Sequence, residues 1–251
     1  MNLNTKMVDK PAIFSRFKHV AAGQSTRHGG VSAAPWNSLN LGKSTGDKAE
    51  HVAENRRRFA AALGFEPEQM AWSKQVHGDK ISLVSSPVGL EGYDALVTNT
   101  AGILLTVSVA DCTPILIFDQ KNDVVAAVHA GWKGTAAKLV RKTLDLMALK
   151  YGSLGTDCFA YIGTCIDECS FEVGEEVAEQ FDSPFKRFDP QRHKYFVDLK
   201  KANATQCLEF GIPEGQLEVS PFSTVLHNGD YFSHRKEAGL TGRMMGGIGM
   251  F

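Results

Sequence analysis

The sequence predicts a single large α/β domain, and three observations carry the prediction. Apolar runs of strand length alternate with segments whose apolar residues recur at helical spacing. The runs 94–98 and 103–109 are nearly continuous in apolar residues, as in strands covered on both faces. At 251 residues the chain is long for one domain and short for two, and no repeat or low-complexity linker divides it.

Residues 1–17 are expected to form a flexible leader, ordered only near Ile13 and Phe17, with the folded domain over 18–251. A short strand covers 18–23. Two segments rich in glycine and small polar residues follow, Thr26-Arg27-His28-Gly29-Gly30-Val31-Ser32 and Ser38-Leu39-Asn40-Leu41-Gly42. They suit either a loop whose backbone approaches a ligand or an ordinary surface loop. Asp47 and Glu50 make a capping signature for a helix running to Leu63. Val52, Phe59 and Leu63 share its inner face, the run Arg56-Arg57-Arg58 reads as a solvated face, and Gly64 ends it.

Residues 71–84 read as two short strands around Gln75-Val76-His77-Gly78, where the glycine suggests a turn that exposes the imidazole. After strands over 94–98 and 103–109 comes Cys112. Strands over 114–118 and 124–128 follow, the second ending at His129. From Gly131–Thr135 a helix is expected to run to Lys150, with Val140, Leu144 and Met147 at helical spacing. Its N-terminus beside His129 would be an anion seat. A strand over 159–162, a short helix over 174–181 and a loop over 182–194 complete the middle of the chain. Asp198 caps a helix to Phe210, stopped by Gly211-Ile212-Pro213.

Composition narrows the function. A net charge of −1 makes no electrostatic case for nucleic acid or acidic membrane. No apolar run reaches the roughly 18 residues of a membrane span, and residues 1–17 hold no signal-peptide core. Five cysteines, an odd number, argue for reduced thiols in the cytoplasm. Cys165 and Cys169 lack the second pair of a zinc finger. The H-x-E and P-C-x-x-C of zinc nucleobase deaminases are missing, as are a G-x-S-x-G elbow and a Walker A loop. Gly246-Gly247-Ile248-Gly249 has no helix after it, so it is no dinucleotide loop.

What remains is Cys112 and His129, each at the end of an apolar run, with His77 upstream. One thiolate and two imidazoles suit Zn²⁺ by ligand type, and three protein ligands leave a position open, as catalytic sites do. The spacing fits no short metal motif, so a buried cysteine with two surface histidines, or a Cys112–His129 nucleophile pair, describes the same residues.

Five ordered motifs carry a resemblance that separates these readings. They are the Thr26–Ser32 and Ser38–Lys43 segments, Gln75-Val76-His77-Gly78, Ala110-Asp111-Cys112-Thr113-Pro114, and His129-Ala130-Gly131-Trp132-Lys133-Gly134-Thr135. In this order the chain resembles the family long called polyphenol oxidase or multicopper laccase-domain proteins and now treated as purine nucleoside phosphorylases. Phe232-Ser233-His234-Arg235 and Thr241-Gly242-Arg243 look like its C-terminal signatures, so the match spans roughly 20–243.

The resemblance implies two layered mixed sheets flanked by helices and one zinc ion on His77, Cys112 and His129. It also implies phosphorolysis of adenosine, inosine, guanosine and methylthioadenosine, with adenosine deamination besides. Two departures, Thr164 after Ile162-Gly163 and Ser223 before Thr224, bear on loop shape and substrate preference rather than on the metal. Phosphate contacts are expected from Lys133, the Gly134–Thr135 helix start, and Arg235 or Arg243. Ser38 and Asn40 are expected at ribose or base. Asp111 is expected as an acid/base group, as the residue orienting a ligand histidine, or as a strand-end cap. Trp132 stacks on the base or only packs.

Three alternatives accompany this reading. One is a cysteine hydrolase editing peptidoglycan precursors, which the resemblance permits because bacterial relatives have been proposed to do so. Another is a copper polyphenol oxidase, disfavoured because eight histidines include no H-x-H pair. The third is a nucleotide-binding scaffold without turnover. Purine nucleosides and phosphate are the expected partners; oligomeric state is left open.

Overall fold

The computed structural model of the protein describes residues 6–251. In chain order the strands and helices are β1 (Val8–Asp9), β2 (Val20–Ser25), α1 (Ala49–Ala62), β3 (Met70–Lys74), β4 (Ile81–Leu83), β5 (Gly89–Glu91), β6 (Ala95–Thr98), β7 (Leu104–Val109), β8 (Thr113–Asp119) and β9 (Val124–Ala130). Then come α2 (Trp132–Ala136), α3 (Leu139–Tyr151), β10 (Cys158–Ile162), β11 (Glu172–Val173), α4 (Glu175–Ala178), β12 (Lys186–Asp189), β13 (Lys194–Val197), α5 (Leu199–Phe210), β14 (Leu217–Val219) and β15 (Met244–Met250).

Two six-stranded mixed sheets form, β1-β2-β15-β7-β3-β5 and β14-β10-β8-β9-β6-β4, with a small β11-β13-β12 sheet beside them. Alternation along β8 explains the layering. Leu116 and Phe118 meet Leu105, Val107 and Ile248 of the first sheet, whereas Ile115 and Ile117 face Leu139, Leu144 and Met147 of α3. On the far side of the first sheet, Phe59, Ala60 and Leu63 of α1 cover Leu104 and Met245. The stack is helix, sheet, sheet, helix. Each fully buried Leu, Ile or Phe in it contributes about 1.5–3 kcal/mol.

The central strand β15 was not expected from its sequence. Met-Met-Gly-Gly-Ile-Gly-Met has weak β-propensity, yet the glycines answer to space. A Cβ on Gly249 would lie 2.5 Å from the Ile103 carbonyl and 2.7 Å from the Phe65 ring. Gly249→Ala is therefore expected to cost about 1–3 kcal/mol in overpacking, measured as a lowered melting temperature.

Four local expectations are corrected. Residues 1–5 of the expected leader lie outside the described residues. Beyond them, Val8 pairs with Ser25 and Phe14 is buried in the inter-sheet core, so the second half of the segment belongs to the fold. Lys48, not Asp47, is the N-cap residue of α1, because the Asp47 carboxylate is engaged by the Ser32 hydroxyl and the Asn40 amide. The helix expected from 131 to 150 is two helices, since Lys138 takes a left-handed φ of 58° that breaks it. The expected loop over 182–194 contains β12 and the start of β13, an antiparallel pair. Asp198 does cap α5, accepting from the Lys201 amide at 2.9 Å, and Gly211 ends it at φ 104°.

Candidate metal centre

The β8–β9 ladder builds the site. It sets Pro114 opposite His129 and Thr113 opposite Ala130, so Cys112, one residue before β8, arrives beside the end of β9. The turn after β3 brings His77 to the same place, with a left-handed φ of 57°. The side-chain donor atoms of His77, Cys112 and His129 all lie within 4.8 Å of one another. The two imidazoles meet edge to face, their centroids 4.9 Å apart. Gly131 makes room for the group: a Cβ there would come 2.9 Å from the Cys112 sulfur and 3.3 Å from the His77 ring.

Asp94, just before β6, holds the group together and had no recognisable signal in the sequence. Its Oδ1 lies 2.8 Å from His129 Nδ1 and accepts from the His77 amide at 3.0 Å; its Oδ2 accepts from the Gly78 amide at 2.8 Å. Its carbonyl accepts from the His129 amide at 2.7 Å. One carboxylate thus orients one histidine and pins the turn that carries the other, leaving His129 Nε2 for the cluster. Burial would raise the Asp94 carboxyl, but the hydrogen bonds from His129 and the Gly78 amide hold it below its ordinary value. Burial would also raise the Cys112 thiol; His129 and His77 outweigh that and bring it to about 6. Reciprocally, Cys112 and Asp94 overcome desolvation and raise His129 to about 9.

Two imidazoles and a thiolate in reach of one point fit a single metal ion by donor type. Among the described residues this is the group that could hold one.

The cluster opens into a cavity of about 890 Å³, within the size range of ligand sites. Asp111, Trp132, Arg235 and Arg243 line it; Ser38, Asn40, Lys133 and Thr135 do not. The last four stand outside this cavity. Asn40 is fully buried, accepting from the Gly42 and Arg243 amides and donating to Thr45 and Asp47, with nothing left for a substrate. Ser38 bonds the Arg27 carbonyl and the Gly30 amide. Thr135 is buried and accepts from Asn203. Lys133 is exposed, 5.5 Å from the ring of Trp132.

Asp111 has both carboxylate oxygens engaged, by the Thr224 hydroxyl and the Arg235 amide, each at 2.6 Å, while Asp94 is the carboxylate that bonds His129. The two departures serve the scaffold. Thr164 bonds Ser220 and Gln24, and Ser223 bonds Asp167 and the Val225 and Leu226 amides.

Lys43, Arg56 and Trp72 also line the cavity. Arg56 could have been found in the sequence. It falls four residues after Val52 and three before Phe59, on the buried face of α1 rather than the solvated one.

The fold and the site define an α/β chain built around a His–Cys–His group able to hold a metal in a cleft lined by several lysines and arginines. The chain belongs to the family described as multi-copper polyphenol oxidoreductase laccase, whose model matches residues 21–251. It is 37% identical over 252 residues to the purine nucleoside phosphorylase of Bacteroides thetaiotaomicron, covering 93% of each chain. Against the purine nucleoside phosphorylase YlmD of Geobacillus stearothermophilus the identity is 34%, over 93% of this chain and 91% of that one. The crystal structure of YlmD superposes with a TM-score of 0.88, covering 94% of this chain and 93% of that one. The hypothetical protein YfiH of Bacillus licheniformis also gives 0.88, at 32% identity, over 92% and 93% of the two chains. No helix among the described residues is long and apolar enough to cross a membrane.

Proposed function

We propose that this chain is a zinc-dependent purine nucleoside phosphorylase acting on adenosine, inosine, guanosine and methylthioadenosine, and that it also deaminates adenosine. The observation that carries the reading is the His77–Cys112–His129 group opening into a cavity lined by arginines. The names of relatives at 34% and 37% identity along most of the chain support it.

His77, Cys112 and His129 would hold the ion, which supplies Lewis acidity or a water acidified toward ~7. The remaining work belongs to the chain. In phosphorolysis the C1′–N9 bond of the nucleoside breaks, a phosphate oxygen bonds C1′, and the purine leaves with a proton. Arg243 brings positive charge beside Cys112 and Asp111, though burial lowers its own pKa. It stands where Asn40 and Leu41 pin its main chain. Asp111 fixes the Arg235 amide at the rim. Half-buried Trp132 offers a wall for the base.

Inosine incubated with inorganic phosphate and the metal-loaded protein is expected to yield hypoxanthine and ribose 1-phosphate in equal amounts. Hypoxanthine without ribose 1-phosphate, or no turnover, would refute the phosphorylase reading. Elemental analysis should find about one zinc per chain. Copper suits a His₂Cys set as well, so a copper-loaded, phenol-oxidising protein would favour the oxidase alternative. The low Cys112 pKa beside His129 is also what a cysteine hydrolase needs. Amide hydrolysis by the metal-free protein would favour that one.

A further inference from the structure

We propose that Lys43 and Arg56, held against Trp72, form the seat of inorganic phosphate. The proposal rests on the phosphorylase reading for its ligand, but its geometry stands apart from the metal group.

Arg56 is only 8% exposed, yet among the described residues its side chain forms neither an ion pair nor a hydrogen bond. A buried cation is normally paired, because desolvating an isolated charge is strongly unfavourable. Here its guanidinium carbon stands 5.3 Å from the Trp72 ring centroid, and the Lys43 ammonium lies 3.7 Å from the same centroid. The aromatic ring offsets part of the cost through cation–π contacts. It does not neutralise two like charges converging on one cavity wall. Burial brings Arg56 down to about 10; burial and the Arg56 charge together push Lys43 below its ordinary value. Arg56 is thus a buried cation without an acidic partner among the described residues, and exposed Lys43 adds a second positive charge beside it.

The platform is rigid. A Cβ on Gly89 would lie 2.6 Å from Trp72 Cζ2, so the indole is wedged on bare backbone of β5. Asn55, next to Arg56 on α1, is fully buried and ties the preceding loop by donating to the Ser32 hydroxyl and to the Ser38 and Asn40 carbonyls. The seat also connects to the metal group. Arg243 packs on Gly42, where a Cβ would come 2.6 Å from its Cγ, and it feels the charges of Asp111 and Cys112. A run of positive charge leads from Lys43 and Arg56 through Arg243 toward Cys112. A tetrahedral oxyanion with two to three accepting oxygens matches a guanidinium and an ammonium facing one space.

The test is calorimetric titration of the metal-loaded protein with inorganic phosphate, repeated for Arg56→Met, Lys43→Met and Lys133→Met. Phosphate Kd is expected to rise at least tenfold in the first two variants, with metal content unchanged. In steady state, KM for phosphate should rise by a similar factor while KM for inosine stays within twofold. Without phosphate, Arg56→Met should melt at or above the wild-type temperature, since an uncompensated charge has been removed. Lys43, at the exposed mouth, covers the case in which Arg56→Met fails to fold.

Unchanged phosphate affinity in both variants would overturn the proposal, as would a rise caused by Lys133→Met instead. A loss confined to inosine 5′-monophosphate, with inorganic phosphate still bound, would also overturn it. Because binding is read without turnover, an inactive wild type that still loses phosphate affinity in the variants would sink the phosphorylase reading and keep the seat.

Discussion

Cys112→Ser is expected to strip the protein of its metal and of turnover together. Serine keeps the size of the side chain but replaces a thiolate by a hydroxyl that is not ionised at neutral pH, leaving two imidazoles as the ligand set. The loss of affinity should exceed the roughly 10–100-fold typical when only an outer partner is removed. Elemental analysis after gel filtration should fall from about one ion per chain to near zero, with ribose 1-phosphate formation lost in parallel. Full activity in the variant would show that Cys112 is not needed as a ligand or as a nucleophile. In the metal-free wild type, the mutual attraction of Cys112 and His129 lowers the thiol and raises the imidazole. Loading must displace the proton that the raised His129 pKa holds on the pair, so metal affinity should weaken as pH falls.

Asp94→Asn is expected to weaken metal binding by about 10–100-fold while leaving all three ligands in place. The carboxylate accepts from the Val76, His77 and Gly78 amides and from His129. An amide of the same shape has one accepting oxygen and turns a donor toward donors, so at least one buried N–H loses its partner. Each such loss costs about 1–3 kcal/mol, and for a chain of this size every kcal/mol lowers the melting temperature by roughly 2–4 °C. The sign with pH follows from the depressed Asp94 pKa. Its contribution is present above the unfolded value of about 3.9 and is lost as pH falls through the lower folded value. The stability gap between wild type and variant should therefore close in acid. Wild-type metal affinity in Asp94→Asn would mean that the ladder alone orients His129.

Much of the fold was legible. Strands β6 to β9 read as apolar runs because a strand covered on both faces has no polar side to disguise it. Helix α5 was readable at both ends because its cap and its stop are local chemistry, Asp198 and Gly211. Strand β15 was not legible, since its glycines answer to the Ile103 backbone and the Phe65 ring, which approach from elsewhere in the chain. The hairpin of β12 and β13 was hidden for a related reason: its sequence is charged and only one end of it is buried.

By itself the sequence determined the alternation of strands and helices and, through ordered motifs, the trio His77, Cys112 and His129. Residue type and periodicity are local properties that survive without coordinates. The tertiary structure alone decided which other groups serve that trio. Lys133 and Thr135 lie next to His129 in the chain yet outside the cavity, whereas Asp94 and Arg56 are distant in sequence and reach the cluster and the cavity wall. A side chain's partner and its exposure depend on which surfaces close over it, and that is set by the packing of α1 on the first sheet and of the two sheets on each other.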